Sequence, residues 1–273
     1  VDRVIVAAGY GGEKMMEHFN GMSLPYELKI VEETEPLGTG GAIVNCKSYL
    51  TGDAFCVING DLVTSLRVEE MLEFHKSNGG IATISLWEVE DPSRFGVADY
   101  RQESGKIMRF QEKPPKEEAY SNLINAGTYI LEPEIFQLMP EGAHSIERDV
   151  YEDLAATGGL NGFPFEGWFV DAGTPNSFVD ATKVCIAEGR FASGKVSGDS
   201  WFGEGSENGG KVIGSSVGPE AVVKDGAIIS NSVILEGAKI GADSVLENCL
   251  IGIGAKVPEG TELFGEIVDH SVL

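Results

Sequence analysis

Long hydrophobic runs are missing from these 273 residues: no apolar stretch approaches the roughly 20 residues that span a bilayer. No basic segment followed by an apolar one precedes the first strand-like run, so neither a secretory leader nor a membrane span is expected. Basic residues are scarce. Lys and Arg number 20 against 43 Asp and Glu, a net charge of −23, which argues against nucleic acid or any other polyanion as partner. The acids are spread along the chain, the pattern of a well-solvated surface. A phosphate substrate would need a site that concentrates its own positive charge, and a metal is the expected means. Cysteine is also sparse. Cys46, Cys56, Cys185 and Cys249 are far apart and form no CxxC, so they read as reduced, mostly buried thiols of a cytoplasmic protein. His18, His75, His144 and His270 share no ligand spacing.

What is present is organised. Hydrophobic content of 42% suits a globular chain long enough for one large or two modest domains. Up to about Arg190, apolar runs alternate with amphipathic stretches, the pattern of an α/β domain with a largely parallel sheet. Val4-Ile5-Val6-Ala7-Ala8 reads as a strand entering Gly9-Tyr10-Gly11-Gly12, which is either a phosphate-cradling loop or a plain turn. Phe55 to Ile58 reads as a short buried strand, Val68 to His75 as a helix covering the sheet, and Ile81 to Leu86 as the next strand. Leu123 to Leu131 is a further strand, and Pro175 to Glu188 a helix with Pro in its first turn.

Composition then changes. Residues 190–210 are rich in Gly, Ser and acids, with Trp201 and Phe202 as the main apolar anchor, and read as a linker or an irregular first coil. Beyond them SNSVILEGAKIGADSVL aligns with ENCLIGIGAKVPEGTEL at a period of 17. Aliphatics recur at Val217/Ile234/Ile251, Val223/Ile240/Val257 and Ile229/Leu246/Leu263, in steps of six, six and five. Three short strands per coil, each with one inward aliphatic, predict a parallel β-helix of three coils over 211–273. It resembles the left-handed β-helix of hexapeptide-repeat proteins, whose hand departs from the usual crossover rule. The end of such a stack exposes strand edges, so a homo-oligomer through this domain is expected.

Several residues can carry chemistry. Asp61 ends a strand in Asn59-Gly60-Asp61, where it either binds a ligand at the sheet's carboxyl edge or caps a turn. Glu112-Lys113-Pro114 could hold sugar hydroxyls and a phosphate, or be a solvated charged turn. Asn125 sits inside an apolar strand and needs a partner, protein or ligand. Asp171 lies between a strand and a helix; two carboxylates at two strand ends suit Mg²⁺, which leaves positions for substrate phosphates.

In order, the segments EPLGTGGA (35–42), INGD (58–61), RFGV (94–97), FQEKP (110–114), INAG (124–127), SIERD (145–149) and DAGTP (171–175) resemble the sugar-1-phosphate nucleotidyltransferases. The likeness runs from Val1 to about Glu188 and is strongest to the mannose-1-phosphate guanylyltransferases. It implies a Rossmann-like domain over 1–189 acting on a nucleoside triphosphate and a sugar 1-phosphate, with Mg²⁺. On this resemblance Gly38 and Thr39 lie against base and ribose, and Asp61 with Asp171 holds the metal. Gly96 and Glu112 bind sugar hydroxyls, Asn125 supports the sugar, and Lys113 meets the sugar phosphate. Glu33, five residues before Gly38, aligns with a Gln of thymidylyltransferase relatives. A carboxylate there matches the paired N–H donors of guanine, though a solvated Glu is the plain alternative. The family's GGxGTRLxPLT loop occurs nowhere in these residues, so Gly9 to Gly12 is expected to be a turn. The sequence is expected to lack the family's first strand and phosphate loop and to be inactive by itself. A glucose-1-phosphate thymidylyl- or uridylyltransferase and a non-catalytic homologue that binds nucleotide sugar are the alternatives. A hexapeptide acyltransferase is not expected, because no His lies within the repeats.

Overall fold

A computed structural model describes residues 1–50 and 52–270. In chain order the first part runs β1 (Arg3–Ala8), α1 (Gly12–Phe19), β2 (Glu27–Glu32), α2 (Gly38–Asn45), β3 (Phe55–Ile58), β4 (Leu62–Thr64), α3 (Val68–Asn78), β5 (Ala82–Glu88), β6 (Gly96–Arg101), β7 (Lys106–Glu112), β8 (Leu123–Leu131), α4 (Glu152–Ala156), β9 (Leu160–Pro164), β10 (Phe169–Asp171) and α5 (Pro175–Ala187). The chain divides into two compact units: Val1–Asn59 with Leu66–Gly167, and Gly60–Ser65 with Trp168–Leu273. The division does not follow the sequence boundary at 189. β4, β10 and α5 group with the repeats, because β10 pairs antiparallel with β4 and α5 packs on the repeat strand Leu250–Ile251.

In the first unit β1 and β2 form a parallel pair, and Gly9 to Gly11 is the turn into α1. The other strands form one sheet in the order β3-β8-β5-β9-β7-β6. Only β5 and β9 run parallel within it; β3/β8, β5/β8, β6/β7 and β7/β9 are antiparallel. The largely parallel sheet expected from the alternating pattern is therefore mixed. For β6 and β7 the reason is local: residues 102–105 join them, too short for a crossover and long enough for a hairpin, with Gly105 at φ +66. The core is Ile84, Leu86, Tyr129, Leu131, Tyr151 and Leu160 with their neighbours. α3 packs on β5 and β9, as its apolar face requires. β3 is an edge strand, paired with β8 only, and Cys56 and Ile58, which alternate onto one face of it, are exposed, where the sequence predicts a buried strand.

In the second unit the repeat builds a three-faced parallel β-helix. One face stacks Ser200–Phe202, Ser216–Val217, Val233–Ile234, Leu250–Ile251 and Ile267–Val268. A second stacks Glu207–Asn208, Val222–Val223, Lys239–Ile240 and Lys256–Val257, and a third Lys211–Ile213, Ile228–Ser230, Val245–Glu247 and Glu262–Phe264. The stack thus has four full coils, one more than the repeat predicts. The extra coil comes from 200–213, inside the stretch read as linker or irregular first coil. There Phe202 pairs with Val217 and Asn208 with Val223, a step of 15 rather than 17, which hides the coil from the period. The inward aliphatics of the inner coils, Val217, Val223, Ile229, Ile234, Ile240, Leu246, Ile251 and Val257, are buried, a contribution of about 1.5–3 kcal/mol apiece, while Val212 and Leu263 are partly buried.

One corner of the stack is held by a ladder. The N–H of Ser215 donates to Ser200 Oγ (3.2 Å), that of Ser232 to Ser215 Oγ (2.9 Å) and that of Cys249 to Ser232 Oγ (3.0 Å). Every rung is buried, so these short side chains satisfy backbone donors the flat strands cannot. Among the described residues no helix is long and apolar enough to cross a membrane.

Candidate functional site

The glycines of LGTGGA answer first to packing. Gly38 opens α2 at φ +70, and a Cβ there would lie 2.6 Å from the His144 carbonyl oxygen. A Cβ on Gly40 would run into the His144 ring, and one on Gly41 would lie 2.9 Å from the Gly142 oxygen. The segment is clamped by backbone bonds: Gly40 N–H to His144 O (3.0 Å) and His144 N–H to Leu37 O (2.9 Å). Thr39 is exposed, but its hydroxyl donates to Glu147 Oε2 (2.5 Å) and accepts from the Ile146 N–H (3.1 Å). Glu33 is half-buried, and its Oε2 accepts from the Leu37 N–H at the start of α2 (3.3 Å).

At the end of β7, Glu112 and Lys113 pair across 3.5 Å. Burial raises the Glu112 carboxyl above the usual carboxylate range, and the Glu147 charge raises it further against the lowering effect of Lys113. Lys113 stands at φ +52 immediately before Pro114, a backbone state costing about 1–3 kcal/mol for such a residue and common at ligand sites. Gly96 is the direct cross-strand partner of Glu112. A Cβ on it would strike the Phe110 ring and come 2.9 Å from Glu112 Oε2, so the absence of a side chain leaves the carboxylate its room.

Asn125 already has protein partners. Its Oδ1 accepts from the Gly127 N–H (2.9 Å) and its Nδ2 donates to the Tyr129 hydroxyl (3.0 Å). The strand bulges here: the β5–β8 register shifts between Ile84 and Leu86, with Gly127 at φ +68.

Asp61 and Asp171 come together in the second unit. β10 pairs with β4 so that Asp171 faces Leu62, and the Ala172 N–H donates to the Asp61 carbonyl (2.8 Å). A Cβ on Gly173 would lie 3.0 Å from Asp171 Oδ1 and 3.2 Å from Asp61 Oδ2, so both carboxylates border one small space that a side chain would fill. Two carboxylate oxygens around such a space fit a divalent cation whose other positions go to water or phosphate oxygens. Among the described residues no third Asp, Glu, His or Cys joins them.

Glu147 was not singled out from the sequence beyond its place in SIERD. It is 7% exposed and begins a π-helical turn, Glu147–Tyr151, a geometry frequent at functional sites. Its Oε2 also accepts from Ser145 Oγ (2.7 Å) and its Oε1 from the Tyr129 hydroxyl (3.1 Å). Burial and the Glu147 charge push the Tyr129 phenol well above its ordinary value. Only Ser145, two residues before it in the sequence, could have hinted at it; its partners Thr39 and Tyr129 are far away along the chain.

The profile of the Nucleotidyl transferase family matches residues 1–188, and that of the GlmU-like C-terminal hexapeptide matches 181–269. Mannose-1-phosphate guanylyltransferase 1 of Arabidopsis thaliana is 30% identical over 267 residues, covering 92% of this chain and 73% of that protein. The catalytic subunit beta of mannose-1-phosphate guanylyltransferase from Danio rerio is 31% identical, covering 94% and 75%. Among solved structures, HddC from Yersinia pseudotuberculosis complexed with GMP-PN superposes with a TM-score of 0.56 at 29% identity, covering 67% of this chain and 79% of that one. A family profile spanning the whole first part of the sequence, and a relative aligned along nearly all of it, establish that the chain belongs to the nucleotidyl transferase family.

Proposed function

We propose that this protein transfers a guanylyl group from GTP to mannose 1-phosphate, giving GDP-mannose and pyrophosphate. The observation that carries this reading is the run of relatives named mannose-1-phosphate guanylyltransferase along 92% of the chain. The sugar phosphate oxygen attacks the α-phosphorus in line with the departing pyrophosphate, so the protein's work is positioning and neutralising charge. Gly38 and Thr39 meet base and ribose. Gly96 leaves room for Glu112 to accept from sugar hydroxyls, Asn125 supports the sugar, and Lys113 meets its phosphate. Asp61 and Asp171 hold Mg²⁺, which when bound neutralises phosphate charge. The exposed Phe264 and Ile267 at the end of the stack favour self-association through the β-helix.

The choice of base falls to Glu33. A carboxylate accepts from both guanine N1–H and N2–H₂ and repels a pyrimidine O4, a contact worth about 1–3 kcal/mol. The test offers the complete protein GTP, UTP and dTTP with mannose 1-phosphate. GTP is expected to be preferred, and Glu33→Gln to narrow that preference. A native preference for a pyrimidine nucleotide removes both Glu33 from the site and guanylyl transfer from the reading; a GTP preference unmoved by the substitution removes Glu33 alone.

A further inference from the structure

Glu147 joins the two ends of the first unit's polar network. One oxygen takes the hydroxyl of Thr39, at the start of α2, and the other takes the hydroxyl of Tyr129, on β8. A carboxylate is acceptor only, which fixes the direction of every bond leading to it. Tyr129 must spend its proton on Glu147 and can then only accept. Asn125 must therefore turn its Nδ2 toward Tyr129, and the Gly127 N–H, a donor only, demands the same orientation by taking its Oδ1, at distances of 3.0 and 2.9 Å. One Nδ2 hydrogen of Asn125 is left over.

A packing role alone does not account for this. A carboxylate 7% exposed is costly to bury, and an apolar side chain of similar size would fill the space more cheaply. Among the described residues no Lys or Arg pairs with Glu147, and three hydroxyls take the place of a counter-charge. Beside it the Tyr151 hydroxyl is fully buried with no protein partner among the described residues.

We propose that Glu147 is a positioning residue that, together with the Gly127 N–H, sets the polarity of the chain Glu147–Tyr129–Asn125, so that Asn125 offers an N–H donor, not a carbonyl, to a sugar hydroxyl, while the same carboxylate orients Thr39 at the nucleotide end. The inference rests on the nucleotidyl transfer reading above. It assigns to each arm of the network a separate substrate.

The test uses steady-state kinetics on the complete protein, with calorimetric binding of GTP and of GDP-mannose and a thermal midpoint for each variant. Tyr129→Phe cuts the arm to Asn125 and the Tyr129 bond to Glu147 Oε1, and leaves the Thr39 bond to Oε2 in place. The expected result is a KM for mannose 1-phosphate raised about tenfold, the loss of one oriented hydrogen bond, with the KM for GTP unchanged. Glu147→Gln frees both arms and is expected to raise both KM values. Glu147→Asp, which keeps the acceptor character, recovers part of each. If Tyr129→Phe leaves both KM values unchanged, or raises both by the same factor, the proposal is overturned, and it needs no folded Glu147 variant to be so. Wild-type protein that neither turns over nor binds nucleotide or nucleotide sugar overturns the functional reading, and with it the inference. Wild-type activity without the split overturns the inference alone.

Discussion

Replacing Gly38 by Ala separates two explanations of the LGTGGA glycines. Two costs follow from the structure. At φ +70 an L-residue is disfavoured by about 1–2 kcal/mol. The new Cβ would also sit 2.6 Å from the His144 oxygen and 3.1 Å from its carbonyl carbon, so that carbonyl must move. The same oxygen accepts from Gly40 and Gly41, at 3.0 and 3.4 Å, and each bond loosened gives up about 0.5–1.5 kcal/mol. Together the substitution should cost about 2–5 kcal/mol. At about 2–4 °C per kcal/mol for a chain of this size, the thermal midpoint should fall by about 4–20 °C. Thermal denaturation followed by circular dichroism, alongside nucleotide binding by calorimetry, measures both sides. A midpoint within about 2 °C of wild type, with nucleotide affinity lost, would show that Gly38 answers to ligand approach and not to the 142–147 segment.

Three further outcomes are expected. Asp171→Ala should abolish Mg²⁺-dependent turnover of the complete protein while costing only the bond from the Gly173 N–H (2.9 Å), about 1 kcal/mol; retained Mg²⁺-dependent turnover removes Asp171 from the metal site. Ser232→Ala strips the Cys249 N–H of its acceptor and should destabilise by about 1–3 kcal/mol in denaturant titration, and a loss under about 0.5 kcal/mol would show the ladder to be incidental. Burial raises the Glu112 carboxyl above the usual carboxylate range, so folding disfavours its ionised form: its contribution is intact below the unfolded value and lost as pH rises through the folded value. Glu112→Gln should therefore raise the thermal midpoint at neutral pH and leave it unchanged near pH 3, and an equal change at both would contradict the assignment.

Elements whose signal is local were legible in the sequence. Leu123–Leu131 is a strand with the bounds its apolar run predicts, and the 17-residue period locates three coils of the stack. What failed depends on partners. The first coil escaped because its step is 15 and its second face carries Asn208 where an aliphatic would announce it. The sheet's direction escaped because alternating strands and helices do not reveal that residues 102–105 close a hairpin. Asp61 and Asp171 could be named from strand ends, and they do share one space. Glu147 could not be weighed, because a carboxylate's role lies in which hydroxyls reach it, and Thr39 and Tyr129 reach it only in the fold.

The central claim is transfer of a nucleotidyl group to a sugar phosphate, and product analysis of the complete protein tests it most directly. With GTP, mannose 1-phosphate and Mg²⁺, mass spectrometry should find GDP-mannose and one equivalent of pyrophosphate, neither forming when the sugar phosphate is withheld. Pyrophosphate released from GTP without the sugar phosphate, or no nucleotide sugar from any pairing of nucleoside triphosphate and sugar 1-phosphate, would contradict it.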